Sequence, residues 1–281
     1  MADQSKHTQS DLSQLRPSQL RLSKRLTAIA GMVTGAGAGN HERTKGYCLC
    51  DVGTDHAHIP IRLLMDGVID RSIAMDVIEG PLEKARQNIA LYGANDRIEL
   101  RLSDGLDAYR TGEAEGLVIA GMGGRIMSRI LLREPDKTLD FEEIVLQPQA
   151  DPEYVRRAVR ELGLFIDREE IVLEDNKYYP VMHVVHEEQE RPDWSLLGET
   201  ADEEKTKLCL QAEELFGPVL IRDRDDMLRS YLLWQKGVND RILYSLGRAN
   251  DAGSEEIREK KAQVLLREKL IMTALQYFEH K

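Results

Sequence analysis

The residues best placed to do chemistry begin with Asp51-Val52-Gly53-Thr54-Asp55-His56. An apolar run, Tyr47 to Cys50, precedes them, and an apolar helical pattern opens at Ala57. That order predicts a strand, a tight turn and a helix, the first βα unit of an open α/β sheet. Ligands of such sheets bind at the carboxyl ends of the strands. Asp51 places a carboxylate there, and Gly53 lets the backbone come close to a ligand. A dinucleotide turn needs G-x-G-x-x-G, whose glycines admit a pyrophosphate. Here Asp55 stands where the second glycine belongs, and its charge repels phosphate. A cofactor with no phosphate and some positive charge fits better, and S-adenosylmethionine, a sulfonium with an amino acid tail, has both properties. The spacing D-x-G-x-D is weak alone, and a plain loop also satisfies it.

Two more carboxylates fall at corresponding places. Asp76 closes the apolar run Arg71 to Met75, and Asp104 follows Arg97 to Leu102 within Ser103-Asp104-Gly105. A carboxylate after the second strand suits a ribose diol, and Asp104 suits an adenine amino group. One such Asp is more often a helix cap or turn residue, but three at matching positions weigh equally for a site. Gly121-Met122-Gly123-Gly124 follows a fourth run, Leu117 to Ala120, and Gln147-Pro148-Gln149 follows a fifth, Ile144 to Leu146. Five cations stand on predicted helices: Arg21, Lys24 and Arg25 on one predicted from Ser18, and Arg125 and Arg129 on the one after the glycines. Their bland reading is a solvated helix face, and their functional reading is contact with nucleic acid phosphates.

The elements that must position these residues alternate. Helices are predicted over Glu79–Tyr92, Ile126–Leu132 and Pro152–Leu162, with Pro81 near a first turn where its missing N–H costs little. Two strands at about 164–173 and 178–186, joined by Glu174-Asp175-Asn176-Lys177, form a hairpin that ends the domain. The expected fold class is α/β, a mostly parallel Rossmann-like sheet with an antiparallel C-terminal edge hairpin. Residues 1–17 are polar and aperiodic and are expected to be disordered, and residues 18–186 form the ligand-binding domain. Gly35 to Asn40 reads as a flexible connector; it lacks the Gly-Lys-Ser/Thr of a phosphate loop. Residues 187–281 are expected to form a helical, coiled-coil-like domain. There Leu208, Ala212, Leu215 and Val219 make one stripe and Met227, Tyr231, Trp234, Val238 and Ile242 a second. Ile257, Val264, Ile271 and Phe278 recur every seven residues, flanked by Leu265, Met272 and Leu275. Packing or dimerisation accounts for this tail as well as a clamp on a large substrate does.

Composition narrows the class. Among 281 residues the net charge is −11, which argues against indiscriminate binding of polyanions and leaves room for a local basic patch. Residues 1–186 carry a net −6 and residues 187–281 a net −5, so neither part is a basic domain. No run approaches the length of a membrane span, and the N-terminus lacks an apolar signal core. Three cysteines, Cys48, Cys50 and Cys209, are too few for a disulfide scaffold and read as buried core residues in a reducing cytoplasm. A monomer or weak dimer without metal or membrane partner is expected.

Assembled, these pieces carry a resemblance. Leu22-Ser23-Lys24-Arg25-Leu26, Asp51-Val52-Gly53-Thr54-Asp55-His56-Ala57, Glu79-Gly80-Pro81, Ser103-Asp104-Gly105-Leu106, Ala120-Gly121-Met122-Gly123-Gly124 and Leu146-Gln147-Pro148-Gln149 occur in this order. The chain resembles the bacterial TrmK family, the tRNA (adenine-22, N1) methyltransferases, over about residues 20–186. It departs at Asp76, where the family carries glutamate. The resemblance implies a class I methyltransferase fold, S-adenosylmethionine as methyl donor and tRNA as substrate. On that reading Asp51, Gly53, Asp76, Asp104, Gly105, Gly121 and Met122 hold the cofactor. Asp55 stabilises the cationic product base, His56 orients the base or takes a proton from its amine, and Gln147 and Gln149 hydrogen-bond the base edge. Met122 lies against the adenine or the cofactor, or is a simple loop residue. Arg21, Lys24, Arg25, Arg125 and Arg129 contact phosphates. The alternatives are a methyltransferase of the same fold acting on a small molecule or protein, and a non-catalytic scaffold that uses the tail.

Overall fold

The structure, a computed structural model, describes residues 20–36, 46–197, 203–248 and 254–279. The expectation of disorder over residues 1–17 lies outside them. The chain divides between Glu188 and Gln189 into two compact units.

In the first unit the elements run α1 (Lys24–Met32), β1 (Cys48–Val52), α2 (His58–Met65), β2 (Arg71–Asp76), α3 (Glu79–Leu91), β3 (Ile98–Leu102), β4 (Gly116–Met122), α4 (Gly124–Arg133), a short α5 (Pro135–Thr138), β5 (Glu143–Pro148), α6 (Pro152–Glu161), β6 (Phe165–Glu174) and β7 (Lys177–Val185). The seven strands form one sheet in the order β3-β2-β1-β4-β5-β7-β6. The first five pair in parallel, and β7 joins β5 antiparallel with β6 outside it. The order reverses between β1 and β4, which is where open α/β sheets bind ligands. The mostly parallel sheet with an antiparallel edge hairpin is as expected.

Among the boundaries that differ from the sequence reading, three bear on the site. α1 begins at Lys24, not Ser18, because Ser23 caps it: its side chain accepts from Leu26 N at 3.3 Å. β1 runs to Val52, so Asp51 lies inside the strand and not beyond it. β4 runs to Met122 through a bulge at Gly121, where the pairing with β5 skips from Ala120 to Met122.

Strand register decides what lies under α1. Side chains alternate across a sheet, so Glu143, Val145 and Gln147 of β5 share a face with Val118, Val181 and His183. Ile29 and Met32 of α1 join the apolar core on that face with Leu49, Val118, Val145 and Val181. Burying a side chain such as Ile29, which has no exposed surface, contributes about 1.5–3 kcal/mol.

At the amino-terminal end of the strands this core is closed by a buried carboxylate. Glu143 accepts from Thr34 N at 3.1 Å, Thr34 Oγ1 at 2.8 Å, Gly35 N at 3.1 Å and the Tyr47 hydroxyl. His183 Nε2 lies 2.9 Å from the same group, and its Nδ1 meets Asp167. With a carboxylate on each ring nitrogen, both nitrogens donate and the ring is an imidazolium. Burial opposes that charge, but the bonds to Asp167 and Glu143 outweigh it and raise the His183 pKa. Burial likewise opposes ionisation of Glu143 and Asp167, yet the bonds from His183, joined at Glu143 by those from Tyr47 and Thr34, hold both below the usual carboxylate range. Gly35, expected in a flexible connector, is instead buried and anchored here; Gly37 to Asn40 lie outside the described residues.

The second unit holds a 3-10 turn (Trp194–Leu197), α7 (Glu203–Phe216), α8 (Pro218–Arg222), α9 (Asp226–Gly247) and α10 (Glu255–Glu279). Gly217 and Pro218 break the first expected stripe, so Val219 belongs to α8. In α9 the buried apolar positions are Leu228 and Leu232, whereas Met227 and Trp234 of the expected stripe are exposed. In α10 Ile271 is buried, but Leu270, Ala274 and Tyr277 complete its face while Leu265 and Met272 are exposed. The expected heptad positions Ile257, Val264 and Phe278 are half-buried and Ile271 buried, whereas the α9 stripe sits one position from the expected one. No helix of the described residues is long and apolar enough to cross a membrane.

The buried network sets two pH limits. A raised His183 pKa gives stability that is full below about pH 6.5 and lost as the pH climbs through the folded value. The depressed carboxylates give stability that is lost as the pH falls below about 4. Replacing His183→Gln is expected to lower neutral-pH stability by about 3–5 kcal/mol and to flatten the alkaline decline, as read by urea unfolding from pH 4 to 9.

Candidate active site

The site is built from the carboxyl ends of β1, β2, β4 and β5. After β1 the chain turns at Gly53, with φ +75°, where a side chain would put its Cβ 2.8 Å from Met122 Cε. The backbone N–H groups of Gly53 and Thr54 both donate to Met75 O at 2.9 Å, which latches this turn to β2. Asp55 and Ala57 also have positive φ, 50° and 57°, in a region that non-glycine residues seldom occupy. Two such residues in three positions store about 1–3 kcal/mol each, a cost that structures concentrate at ligand-binding turns.

Asp76 reinforces the latch. One of its oxygens accepts from Asp55 N at 3.2 Å and the other from Ile78 N at 3.1 Å. Each oxygen keeps a free lone pair for a ligand. Asp51 is 2% exposed and accepts from the Thr54 hydroxyl at 2.6 Å. Burial pushes its carboxyl up to about 7, against the pull of the Thr54 hydroxyl and with some help from the charge on Asp76. Asp55 projects into solvent with its side chain 67% exposed, and its carboxylate lies 3.4 Å from His56 Nε2. The His56 ring faces His58 at 5.4 Å. Burial, then the neighbouring His56, lowers the His58 pKa.

The other wall is made by β4, β5 and α1. The bulge at Gly121, φ +78°, turns Met122 toward Gly53. Gln147 is fully buried; its Oε1 accepts from Arg25 Nη1 at 2.8 Å and its Nε2 donates to Pro148 O at 2.8 Å. Gln149, two residues on, is exposed, and its backbone N–H donates to Met122 O at 2.9 Å.

The expected site residues therefore divide. Asp51, Gly53, Asp55, His56, Asp76, Gly121, Met122 and Gln147 gather on the rim, and Arg25 stands among them. Asp104 lies at the end of β3, but its carboxylate is engaged by Arg133 Nη1 at 3.0 Å, and Arg133 also binds Asp107. Gly105 beside it is buried against Ile130. Arg125 is exposed, paired with Asp151 at 3.0 Å and stacked 4.2 Å over Tyr154. Arg21, Lys24 and Arg129 are exposed. Sequence reasoning missed the apolar part of the rim: Val77, Ile78 and Leu102 are 60%, 60% and 55% exposed, and Leu102 pairs across from Asp76. The signal was present, because Val77 and Ile78 stand where a turn ordinarily carries polar residues. Thr54, as the partner of Asp51, was also missed.

A parallel sheet whose reversed-order crevice is lined by these turns is a Rossmann-like ligand-binding arrangement. Residues 22–182 match the methyltransferase domain family, and the chain belongs to it. It is 29% identical over 209 residues to the tRNA (adenine(22)-N(1))-methyltransferase of Bacillus subtilis (strain 168), covering 74% of this chain and 78% of that one. The crystal structure of the B. subtilis m1A22 tRNA methyltransferase TrmK superposes with a TM-score of 0.72 at 25% identity, over 91% of this chain and 99% of that one. A Streptococcus pneumoniae protein described as a candidate tRNA (m1A22) methyltransferase, solved with S-adenosyl-L-methionine, superposes with a TM-score of 0.68 at 25% identity, over 92% and 100%.

Two substitutions test the rim. Gly53→Ala is expected to cost about 1–2 kcal/mol of stability from its positive φ and to push Met122 away, read by thermal unfolding and by binding of S-adenosylmethionine in calorimetry. The raised Asp51 pKa means that the native state holds a proton that the unfolded chain has released, so stability falls between about pH 4 and 7. Asp51→Asn is expected to abolish that fall in urea titrations.

Proposed function

We propose that this protein transfers a methyl group from S-adenosylmethionine to N1 of an adenine, at position 22 of tRNA. The observation that carries the reading is the double latch of Asp76 and Met75 on the Gly53 turn, set against Met122. The similarity to the B. subtilis enzyme and to the S-adenosyl-L-methionine complex supports the choice of donor and substrate.

The residues present fit that cofactor. The turn at Gly53 offers a cradle that a Cβ would fill, and the groups flanking it are the Asp51 and Asp76 carboxylates and the Met122 side chain. Asp76 would take the ribose hydroxyls, Asp51 the positively charged amino end, and Val77, Ile78 and Leu102 the flat faces of the adenine. When bound, the cofactor supplies an electrophilic methyl group carried on a sulfonium.

The residues of this chain supply alignment and electrostatics. N1 of adenine has a lone pair in the ring plane, so no base is needed before attack. Holding the acceptor in line can provide about 7–11 kcal/mol. Methylation leaves the base cationic, and the Asp55 carboxylate at the rim favours that developing charge. His56, beside Asp55, orients the base edge. N1 lies on the Watson–Crick edge, so a paired adenine must leave its stack first. Arg21, Lys24 and Arg129 meet the phosphates, and Arg125 does so from its seat on Tyr154. The helical unit serves as a clamp on the tRNA, the enzyme works as a monomer or weak dimer, and its compartment is the cytoplasm.

Incubating the protein with unmodified tRNA and S-adenosylmethionine, then mapping methylated nucleosides by mass spectrometry, is expected to yield 1-methyladenosine at position 22. Methylation at another atom, or none, rejects the reading. Asp55→Asn is expected to lower kcat about tenfold or more with cofactor affinity unchanged. Lys24→Ala is expected to weaken tRNA binding and reduce its salt slope by about 1.

A further inference from the structure

Arg25 was expected to meet phosphate, but its position serves a different task. Its side chain is only 21% exposed. Nη1 donates to Gln147 Oε1 at 2.8 Å, Nε lies 3.8 Å from Glu174 of the β6–β7 hairpin, and its own backbone N–H donates to Glu174 at 3.3 Å. The guanidinium sits 5.4 Å over the Tyr179 ring. A cation held on three sides by an amide, a carboxylate and an aromatic face is poorly placed to reach outward to a phosphate.

What Arg25 does hold is the turn after β5. Gln147, buried and pinned at both ends of its amide, fixes Pro148 through its carbonyl. The next residue, Gln149, is exposed, and its side-chain amide has no hydrogen-bond partner among the described residues. At Gly121 a side chain would begin 3.6 Å from Arg25 Nη1 and 3.7 Å from Gln149 Nε2. Gly121 precedes Met122, which abuts Gly53 of the cofactor turn. Arg25 and Gln149 thus both stand beside Gly121, next to Met122 and the Gly53 turn.

We propose that Arg25 is a positioning residue for the methyl acceptor: by clamping the Gln147 amide it sets the Pro148–Gln149 turn, so that the free Gln149 amide is presented beside Met122 to the edge of the acceptor base. This rests on the chain being an adenine N1 methyltransferase. Within that reading Gln147, expected to touch the base, supports the contact, and Gln149 makes it.

The roles of phosphate ligand and positioner separate in one set of measurements. Arg25→Lys keeps the charge and loses the planar fork. With the full-length chain, we expect Arg25→Lys to lower kcat at saturating tRNA about tenfold or more. The dissociation constant for tRNA, measured without cofactor, and its salt slope should stay at their native values. Gln149→Ala should reproduce that loss, and the double substitution should be no worse than Gln149→Ala alone. Gln147→Leu, which leaves Arg25 intact, should give the same kcat defect and covers the case in which Arg25→Lys fails to fold. A native kcat with weaker, less salt-dependent tRNA binding would make Arg25 a phosphate ligand and overturn the proposal. Full activity of Arg25→Lys, or additive losses in the double variant, would also overturn it. If the unaltered chain leaves tRNA unmethylated, the functional reading fails first, and that is seen before any variant is made.

Discussion

The rest of the first unit depends on β5 being a strand with polar residues at both ends of one face. Glu143 and Gln147 stand four residues apart, so period two points both toward α1, with Val145 between them. Glu143 receives the chain as it leaves α1, and Gln147 receives Arg25 from its first turn. The helix is therefore fixed at both ends of the strand it covers. Apolar packing by Ile29 and Met32 gives the helix its attraction for the sheet, and the polar bonds set where along the strand it stops. Because both polar groups are buried, a shift of α1 by one turn would strip Glu143 of its Thr34 and Gly35 donors and leave the Gln147 side-chain carbonyl without Arg25, a lost partner costing about 1–3 kcal/mol.

The opposite ends of the strands do different work with the same kind of group. At the amino-terminal end, carboxylates are paired with His183, Tyr47 and Thr34, so burial is compensated and their ionised forms persist. At the carboxyl end Asp51 has, among the described residues, only the Thr54 hydroxyl, and burial wins. A fully paired carboxylate is a structural tie, whereas Asp51 keeps acceptor capacity that its own fold does not use. The contrast follows from how many hydrogen bonds offset burial at each end.

Much of this was legible from the sequence, for reasons that also mark its reach. Five apolar runs alternating with helices fixed the parallel sheet, and a turn of Glu174 to Lys177 between two runs gave the hairpin. The rim residues Asp51, Gly53, Asp76 and Met122 followed from being next to strand ends. What escaped were relations between distant segments. Nothing local tells that Arg25 will find Gln147 and Glu174, because 122 and 149 residues separate them. Asp104 looked available until Arg133 was brought against it from α4. The helical stripes shifted because one apolar residue looks much like the next on a long helix, and which of Met227 or Leu228 faces inward is settled by its neighbours.

The separation of α1 from its partners has a bearing on how the protein is made. The helix emerges from the ribosome early, yet its seat is β5 and the β6–β7 hairpin, which emerge after the cofactor turn and everything between. Until Glu174 and then Tyr179 have left the exit tunnel, the helix lacks first the carboxylate and then the ring that hold Arg25. A nascent chain can thus complete the turns at Gly53 and Asp76 while the wall made by Arg25, Gln147 and Glu174 is still missing, and that wall closes only in the last steps of synthesising this unit.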